Sequence, residues 1–462
     1  MKLWILPIVL LISVQVQAQV FDVDTIYSSG SIASRINVVI LSDGYLKEDM
    51  EQFHADATAF VDRFLTVAPF DSYRNYFNFF AIRVPSNERG ADHPGTATDV
   101  SEPAHPVEDV DNYFGSTFDY YSIHRLLVPI NRTGIYQVLA SNFPQYDQVA
   151  VLVNSPHYGG SGGEFSTASL HTLSVEVALH EMGHSFGGLA DEYYAGDSYA
   201  SERVNMTQET NPEKVRWKNW IGTDGTGIYQ HCCGDNSALW YRPHQNCKMR
   251  TLNAPFCPVC TQALVERIHT LAPPILSYSP VETEIKAQED LLTFYIEKIP
   301  TLPNTLKVFW ELNDESTGDG SDTLSLDPAV LADGDNYLSV YVEDTTSLLR
   351  VDGHSGIHLY SVLWTIGKEG LGTYGISGRR EDIQIRVYPN PVSGILNIRF
   401  LTGAQRKVRA EMSDMTGRVH RRIGIEPGQE EQLNMAGLKS GVYSLKFYAG
   451  PSLVGVRKVV IP

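Results

Sequence analysis

The chain has 462 residues, of which 43% are hydrophobic, and a formal net charge of -18 at pH 7. Its length allows roughly two to four domains, and its apolar content is sufficient for packed cores. The negative charge argues against nucleic acid or anionic lipid as a partner, because both are themselves negatively charged.

The first residues have the pattern of a secretory signal peptide. Lys2 precedes an apolar run over residues 3–14, and the small residue Ala18 follows a short polar stretch. A basic start, an apolar segment and a small residue before the cut are typical of such peptides. A membrane anchor is the weaker alternative, because the run is too short to span a bilayer. We expect residues 1–18 to be removed and the mature chain to contain no membrane span.

Strand-like and helix-like patterns alternate in the next part of the chain. Residues 35–41, 77–84 and 148–153 are apolar and strand-like, whereas residues 47–65 have helical spacing. This alternation predicts an α/β layer arrangement with a central sheet. A glycine-rich stretch at residues 158–163 lacks the lysine and the spacing of a phosphate-binding loop, so it is predicted to be a flexible loop or the edge of a substrate groove.

Residues 180–184 read His-Glu-Met-Gly-His. On an α-helix, residues four apart lie on one face, so His180 and His184 can bind the same metal ion. Glu181 lies beside them, close enough to hold a metal-bound water without binding the metal itself. The pattern is typical of zinc peptidases.

A catalytic zinc site needs a third protein ligand and an open position for water. Gly187 and Gly188 follow the helix and are predicted to let the chain turn back towards the metal. The acidic pair Asp191 and Glu192 then arrives where a third ligand is needed. The count of ligands for a catalytic site is therefore met.

All five cysteines lie between residues 232 and 260. In an exported protein this clustering favours disulfides, with one thiol left over. Alternatively, Cys257 and Cys260 belong to a second, structural metal site. Met249 is predicted to lie in a tight turn below the metal; the alternative is that it only fills a gap in the core.

Several of these segments together resemble the IgA-peptidase family of bacterial zinc metallopeptidases. They are Leu-Ser-Asp-Gly-Tyr at 41–45, the stretch at 180–193, Cys-Lys-Met at 247–249 and Phe-Cys-Pro-Val-Cys at 256–260. The resemblance covers residues 20–271, so residues 19–271 are predicted to form the peptidase domain. It implies a metzincin-like zincin catalytic domain that binds Zn²⁺ through His180 and His184, with Glu181 as the general base.

The chain departs from the general metzincin pattern at the third ligand. That pattern places a ligand three residues after the glycine matched by Gly187, and this position is Ala190, which cannot bind a metal. Asp191 is therefore the predicted third ligand and Glu192 the alternative. A donor for the oxyanion is also needed, and the sequence leaves five side chains open for that role: Tyr193, Tyr194, His231, Tyr241 and His244.

The composition changes after residue 271. Short strand patterns at residues 291–296, 306–312, 337–342 and 359–366 are separated by turn residues. They predict a β-sandwich of immunoglobulin-like type over residues 272–366, followed by a polar linker at residues 367–384.

The last segment, residues 385–462, is predicted to be a second β-sandwich. Its strands alternate with Asn-Pro, Thr-Gly and Ser-Gly turns near residues 390, 417 and 441. These motifs resemble the C-terminal sorting domain of the type IX secretion system of Bacteroidetes. The resemblance implies passage across the outer membrane by that machinery, followed by release or attachment at the cell surface.

The sequence thus predicts a multidomain protein, with an α/β metzincin-like zincin catalytic domain followed by two β-sandwich domains. The predicted function is a secreted zinc endopeptidase that hydrolyses extracellular proteins with metal-activated water and Glu181 as the base. The alternative is a surface binding protein whose metal site is structural or degenerate. The expected partners are a protein or peptide substrate and the type IX secretion machinery.

Overall fold

The structure is a computed structural model that describes residues 20–313, 315–352, 354, 358–368, 384–388, 392, 394–402, 408–414, 419–426, 430–449 and 452–461. The predicted signal peptide and most of the predicted linker at residues 367–384 lie outside the described residues. The chain divides after Ala272 into two compact units.

The first unit is built around a mixed six-stranded sheet. The unit contains ten described strands, six of which form this sheet. The ten are β1 (Val23–Tyr27), β2 (Ile36–Asp43), β3 (Phe77–Ile82), β4 (Ser116–Thr117), β5 (Val128–Pro129), β6 (Gln148–Val153), β7 (Gly160–Ser161), β8 (Ser166–Ala168), β9 (Tyr229–Gln230) and β10 (Tyr241–Arg242). The strand order of the sheet is β1-β3-β2-β6-β8-β7. The four inner strands are parallel to one another, and the edge strands β1 and β7 are antiparallel to their neighbours. The short pairs β4-β5 and β9-β10 lie outside it.

The described α-helices all belong to this unit. They are α1 (Met50–Phe64), α2 (Arg132–Asn142), α3 (Ser174–Ser185) and α4 (Pro258–Leu271). Single 3₁₀ turns occur at Lys47–Asp49, Arg74–Tyr76, Tyr120–Ser122, Lys218–Trp220, Ser237–Leu239 and, in the second unit, Pro328–Val330. The predicted helix at residues 47–65 is confirmed as a 3₁₀ turn that continues into α1. Neither α2 nor α4 was predicted.

The sheet is covered by helices on both faces. One face packs against α2, where a shared core joins Val39, Leu41 and Ile82 of the strands to Val138 and Leu139 of the helix. On the other face the strand residues Phe77 and Phe79 contact Phe64 of α1, and Phe77 also contacts Phe186 just after α3. The sheet therefore fixes α3, the helix that carries the His-Glu-Met-Gly-His motif.

The second unit, residues 273–462, consists almost entirely of strands. They are β11 (Ile275–Ser279), β12 (Glu284–Lys286), β13 (Leu292–Lys298), β14 (Leu306–Leu312), β15 (Glu315–Thr317), β16 (Thr323–Leu326), β17 (Gly334–Asp344), β18 (Leu359–Lys368), β19 (Gln384–Tyr388), β20 (Ile395–Thr402), β21 (Val408–Asp414), β22 (Val419–Ile425), β23 (Glu430–Asn434), β24 (Gly441–Ala449) and β25 (Ser452–Ile461). Together with the first unit, they make the described chain a β-rich, multidomain protein with few helices.

Two separate hydrophobic cores lie in this unit. The first is enclosed by the sheets β11-β13-β16 and β12-β18-β17-β14-β15 and is centred on the stacked rings of Trp310 and Trp364. The second is enclosed by the sheets β19-β20-β23 and β22-β21-β24-β25 and contains Leu396, Met412 and Phe447. In both, apolar side chains of alternating strand positions point inward, as expected for half-buried strands. Among the described helices, none is long and apolar enough to cross a membrane.

We expect Phe64→Ala to destabilise the first unit strongly. The Phe64 side chain is fully buried and stacks on Phe70 with ring centroids 4.2 Å apart. Removing a buried aromatic ring leaves a cavity and costs about 3–5 kcal/mol. The measurement is urea unfolding of the full-length chain followed by tryptophan fluorescence. Tyr199→Ala, at a residue 66% exposed, is the matched control and should change the free energy of unfolding by less than about 0.5 kcal/mol.

Candidate metal centre

His180, His184 and Asp191 converge at the end of α3. The Nε2 atoms of His180 and His184 lie 3.0 and 3.2 Å from Oδ1 of Asp191. All three ligand atoms lie within 4.8 Å of one another. Two ligands bound to one tetrahedral zinc ion lie about 3.3 Å apart, because each is about 2.0–2.1 Å from the metal. The spacing therefore fits a zinc ion with only small adjustments.

The other ring nitrogen of each histidine is held by a backbone carbonyl. His180 Nδ1 donates to the carbonyl of Lys248 at 2.9 Å, and His184 Nδ1 donates to the carbonyl of Leu189 at 2.8 Å. A carbonyl only accepts hydrogen bonds, so each Nδ1 carries a proton and each Nε2 is free to bind a metal. Such contacts fix the tautomer and the orientation of metal-binding histidines.

The charges within this group stabilise one another. Burial lowers the pKa of His184, but the hydrogen bond and the negative charge of Asp191 outweigh burial and raise it to about 9. Burial would raise the pKa of Asp191, yet its hydrogen bonds to His180 and His184 hold it well below its usual value. The pocket is therefore built to hold positive charge next to an ionised Asp191, a role that a divalent cation can fill.

The turn after α3 brings Asp191 back to the histidines. Gly188 has φ +63, a conformation that side chains disfavour, and the amide of Leu189 donates to the carbonyl of Gly183 at 3.0 Å. A Cβ atom on Gly187 would lie 2.9 Å from the Gly183 carbonyl oxygen. The prediction that these two glycines let the chain turn sharply is confirmed.

Asn205 holds the third-ligand segment in place. Its Oδ1 accepts from the Ala190 amide at 2.7 Å, and its Nδ2 donates to the Ala190 carbonyl at 2.9 Å and to Glu192 Oε1 at 3.0 Å. The Asn205 side chain is fully buried. Asn205 therefore fixes the backbone of Ala190, which precedes Asp191, and the side chain of Glu192, which follows it. The sequence analysis missed Asn205, since nothing in the local sequence marks it.

Glu192, the alternative third ligand, lies in a different group. It is fully buried, and its carboxylate lies within 4.8 Å of the thiols of Cys247, Cys257 and Cys260. Burial raises the pKa of Glu192 well above its usual value. Because Glu192 is occupied there, Asp191 is the acidic residue that reaches the histidines.

The predicted disulfides do not form in the structure, where all five cysteines are free thiols. The sulfur atoms of Cys247 and Cys260 are 3.6 Å apart, and Cys257 completes a three-way group with them. Three thiols cannot all be joined in disulfide bonds with one another, so disulfide bonding does not account for this group of three cysteines and one carboxylate. The alternative of a structural metal site that includes Cys257 and Cys260 matches the observed donor set.

Met249 packs directly beneath the motif helix. It is fully buried, and a Cβ atom on Gly183 would lie 2.4 Å from its sulfur. The carbonyl of Met249 accepts from the Glu192 amide at 2.7 Å. Residues 248 and 249 thus contact both the helix that carries the histidines and the segment that carries Asp191.

The carboxylate of Glu181 is enclosed by the glycine-rich stretch. A Cβ atom on Gly162 would lie 2.1 Å from Glu181 Oε2, so a larger residue there would displace the Glu181 carboxylate. Burial raises the pKa of Glu181, although the charges of His180 and His184 oppose the shift. A carboxyl whose pKa moves towards neutrality is suited to accept and return a proton.

A cleft of about 300 Å³ opens beside Glu181. Of the five predicted oxyanion donors, Tyr193 lines this cleft, and burial together with the charge of Asp191 raises its pKa to about 12. Tyr193 therefore keeps its proton and can donate a hydrogen bond. The cleft is lined by Arg125, Tyr158, Gly159, Gly160, Val177, His180, Glu181, Tyr193, Arg250 and Leu252.

The other four predicted donors lie in other settings. Tyr194 is 47% exposed, and Tyr241 pairs with Gln230 in the β9-β10 hairpin. The amide of the buried His231 donates to the carbonyl of Trp240, and His244 Nε2 contacts the carbonyl of Asp224.

Arg125 is a cleft residue that the sequence analysis missed. Burial lowers the pKa of its guanidinium, but interactions with the side chains of Tyr193 and Tyr158 outweigh burial and raise that pKa. Arg125 precedes the motif helix by about fifty residues and lies in an irregular segment, so no periodicity could have linked it to the site.

The comparisons with known proteins identify two parts of the chain. Residues 25–231 match the family IgA Peptidase M64, and residues 386–462 match the Secretion system C-terminal sorting domain. The first match is shorter than the predicted resemblance over residues 20–271 and does not reach the segment from 247 to 260. No curated protein matches the sequence.

Three solved structures match parts of the chain at low sequence identity. SGBP-B of the mixed-linkage glucan utilization locus of Bacteroides ovatus is 13% identical, covers 42% of this chain and 46% of its own, and has a TM-score of 0.17. Beta-glucuronidase 3 of Bacteroides uniformis is 10% identical, with coverages of 49% and 29% and a TM-score of 0.16. Native alpha-2-macroglobulin of Escherichia coli is 11% identical, with coverages of 30% and 58% and a TM-score of 0.16. The chain thus spans less than two thirds of each.

The two family matches agree with the motifs and with the arrangement of the units. Residues 25–231 contain the helix α3 and Asp191, and residues 386–462 contain the strands β20 to β25. Residues 25–231 are therefore similar to the IgA Peptidase M64 family of peptidases, and residues 386–462 match a C-terminal sorting domain, which indicates type IX secretion to the cell surface or the extracellular space.

Proposed function

We propose that the protein is a secreted zinc-dependent endopeptidase that cleaves extracellular proteins. The observation that carries this proposal is the convergence of His180, His184 and Asp191 on one point beside Glu181 and an open cleft. Zn²⁺ is the proposed ion, because imidazole and carboxylate ligands at this spacing suit it.

Glu181 acts as the general base and later as the general acid. A bound zinc ion at this site lowers the pKa of water towards neutrality and polarises a carbonyl. Glu181 accepts the proton of the attacking water and then delivers it to the leaving amine. The raised pKa of Glu181, which burial causes, supports this role.

Tyr193 is the proposed donor to the oxyanion. Its hydroxyl stays protonated because its pKa is raised to about 12. The guanidinium of Arg125 interacts with Tyr193, and both residues line the wall of the cleft. A fixed donor stabilises the charge that develops on the carbonyl oxygen without having to reorganise during the reaction.

The alternative is a surface binding protein with a structural or degenerate metal site. Structural zinc sites are closed by four protein ligands, whereas catalytic sites keep one position open. Here three protein ligands converge, and one of them, His180, lines a cleft of about 300 Å³ together with Glu181. This arrangement supports the enzyme over the binding protein.

We infer that the catalytic domain is metzincin-like and that the two β-rich parts of the second unit are immunoglobulin-like sandwiches. The position of Met249 beneath the helix supports the first inference. The paired sheets around single cores support the second. We keep residues 19–271, 272–366 and 385–462 as the proposed domain boundaries.

We expect Glu181→Gln to abolish proteolysis without loss of zinc. The amide keeps the size of the side chain but cannot accept a proton, so the rate should fall about 10²- to 10⁴-fold. The measurement is cleavage of immunoglobulin A and of a mixed unfolded protein substrate by the full-length chain, together with its zinc content. Glu213→Gln, at an exposed glutamate, is the matched control and should cleave the substrates at the rate of the parent. A chelator should inhibit both the parent and Glu213→Gln.

Equal cleavage by parent and Glu181→Gln would refute the proposed mechanism. If neither cuts while zinc is bound in full, the binding-protein alternative is favoured instead.

Asp191→Asn should weaken zinc binding, whereas Glu192→Gln should leave the catalytic ion in place. Loss of a direct ligand should cost more than the about 10- to 100-fold that loss of an outer partner costs. The measurement is competition for zinc with a chromophoric chelator, with each variant also combined with His184→Ala. Asp191→Asn should lose the same equivalent of bound zinc that His184→Ala loses. The opposite result, with Glu192→Gln and not Asp191→Asn losing that equivalent, would make Glu192 the ligand.

A further inference from the structure

Four histidines from separate stretches of the first unit pack together away from α3. The ring centroids of His105 and His157 are 3.9 Å apart, and those of His93 and His124 are 5.1 Å apart. His105 also lies 5.1 Å from His124. None of these residues belongs to the motifs that the sequence analysis considered.

Three of the side chains in this group present ligand atoms to one point. Asp119 Oδ1 lies 3.3 Å from His124 Nδ1 and 3.9 Å from His93 Nε2. The three atoms all lie within 4.8 Å of one another. A fourth oxygen, Glu102 Oε1, lies 3.2 Å from His124 Nδ1. The separations are close to the about 3.3 Å expected for two ligands of one tetrahedral zinc ion.

The same atoms are buried without a hydrogen-bond partner. This applies to both ring nitrogens of His93, to His124 Nδ1, to Asp119 Oδ1 and to Glu102 Oε1. His93 is 1% and Asp119 is 4% exposed. Buried polar atoms in proteins are almost always hydrogen-bonded, and a group of orphaned atoms that face each other calls for a missing partner.

Two other carboxylate oxygens of the cluster accept hydrogen bonds from backbone amides. Asp119 Oδ2 accepts from the amide of Thr96 at 2.8 Å, which leaves Oδ1 directed at the histidines. Glu102 Oε2 accepts from the amide of Ala104 at 2.9 Å. Contacts of this kind orient side chains that bind metals. The arrangement is therefore fixed before any ion binds.

We propose that His93, Asp119 and His124 form a second metal site, with Glu102 as the fourth ligand. The ion is a divalent transition metal, with zinc as the first choice, because two imidazoles and one or two carboxylates suit it and because such an ion would give a partner to His93 Nε2, His124 Nδ1, Asp119 Oδ1 and Glu102 Oε1. With four protein ligands the site is closed, so its role is structural. The proposal does not depend on the catalytic site or on its activity.

This site supports the wall of the cleft. Arg125 follows His124 directly, and Tyr158 follows His157, whose ring stacks on His105. Arg125 and Tyr158 both line the cleft. The segment from residue 83 to residue 127 has one short strand and one 3₁₀ turn among its described elements, so an ion can supply the rigidity that regular structure does not. This consequence for the cleft rests on the proposed function.

The test counts zinc in the full-length chain after tag removal and desalting, by mass spectrometry of the metal. His124→Gln and Glu102→Gln are compared with the parent, and each is repeated in the His184→Ala background. His124→Gln should lose one equivalent in both backgrounds, because its site is independent of the first. Glu102→Gln is the milder variant and should weaken the same equivalent. Added zinc should raise the melting temperature of His184→Ala but raise it less when His124→Gln is also present.

His54→Gln is the matched control. His54 Nδ1 also lies close to a carboxylate, 3.0 Å from Asp24 Oδ2, but at a half-exposed position without further ligands. It should keep the full zinc count.

Cobalt substitution separates this site from the cysteine cluster, because nitrogen and oxygen ligands give no thiolate charge-transfer band. The cobalt spectrum that His124→Gln removes should therefore lack that band.

An unchanged zinc count in folded His124→Gln and folded Glu102→Gln, in both backgrounds, would overturn the proposal. So would a lost cobalt spectrum that contains the thiolate band. Because the zinc count does not require proteolysis, failure of this proposal is distinguishable from failure of the proposed activity.

Discussion

The candidate site depends on the backbone of residues 248 and 249. The carbonyl of Lys248 accepts from His180, and the carbonyl of Met249 accepts from the amide of Glu192. The ammonium of Lys248 is buried against Glu176 in the first turn of α3. Burial would raise the pKa of Glu176, but its bonds to Lys248 and Arg63 hold it below its usual value. A helix can place two histidines by itself, whereas the third ligand needs this distant turn.

The opposite orientations of Asp191 and Glu192 explain how one acidic pair serves two groups. Asp191 faces the histidines, while Glu192 faces Asn205 and the thiol of Cys260. If Asp191 and Glu192 exchanged roles, the carboxylate of Asp191 would be buried among the thiols, or that of Glu192 would lie too far from the imidazoles to bind a metal with them. Because both environments are buried, such an exchange would cost the free energy of leaving a charge unpaired. The backbone contacts around Ala190 therefore determine which acid reaches the metal site.

The sequence predicted what depends on local spacing. The helix with His180 and His184, the turn at Gly188 and the strands at residues 148–153 and 306–312 are observed where expected. The helix α2 was missed although Ile135, Val138 and Leu139 have helical spacing, and α4 was missed because its cysteines suggested disulfides. Pro258 at the first turn of α4 was the available signal. Asn205, Arg125 and the cluster around His93 come together only through long irregular segments, which no periodicity describes.

The most direct test of the account is an anomalous difference map at the zinc edge, from crystals of the full-length chain. We predict a peak about 2.0–2.2 Å from His180 Nε2, His184 Nε2 and Asp191 Oδ1, with one position open to the cleft beside Glu181. A map without a peak at these three atoms, or a peak bound by Glu192 or closed by a fourth protein ligand, would contradict it.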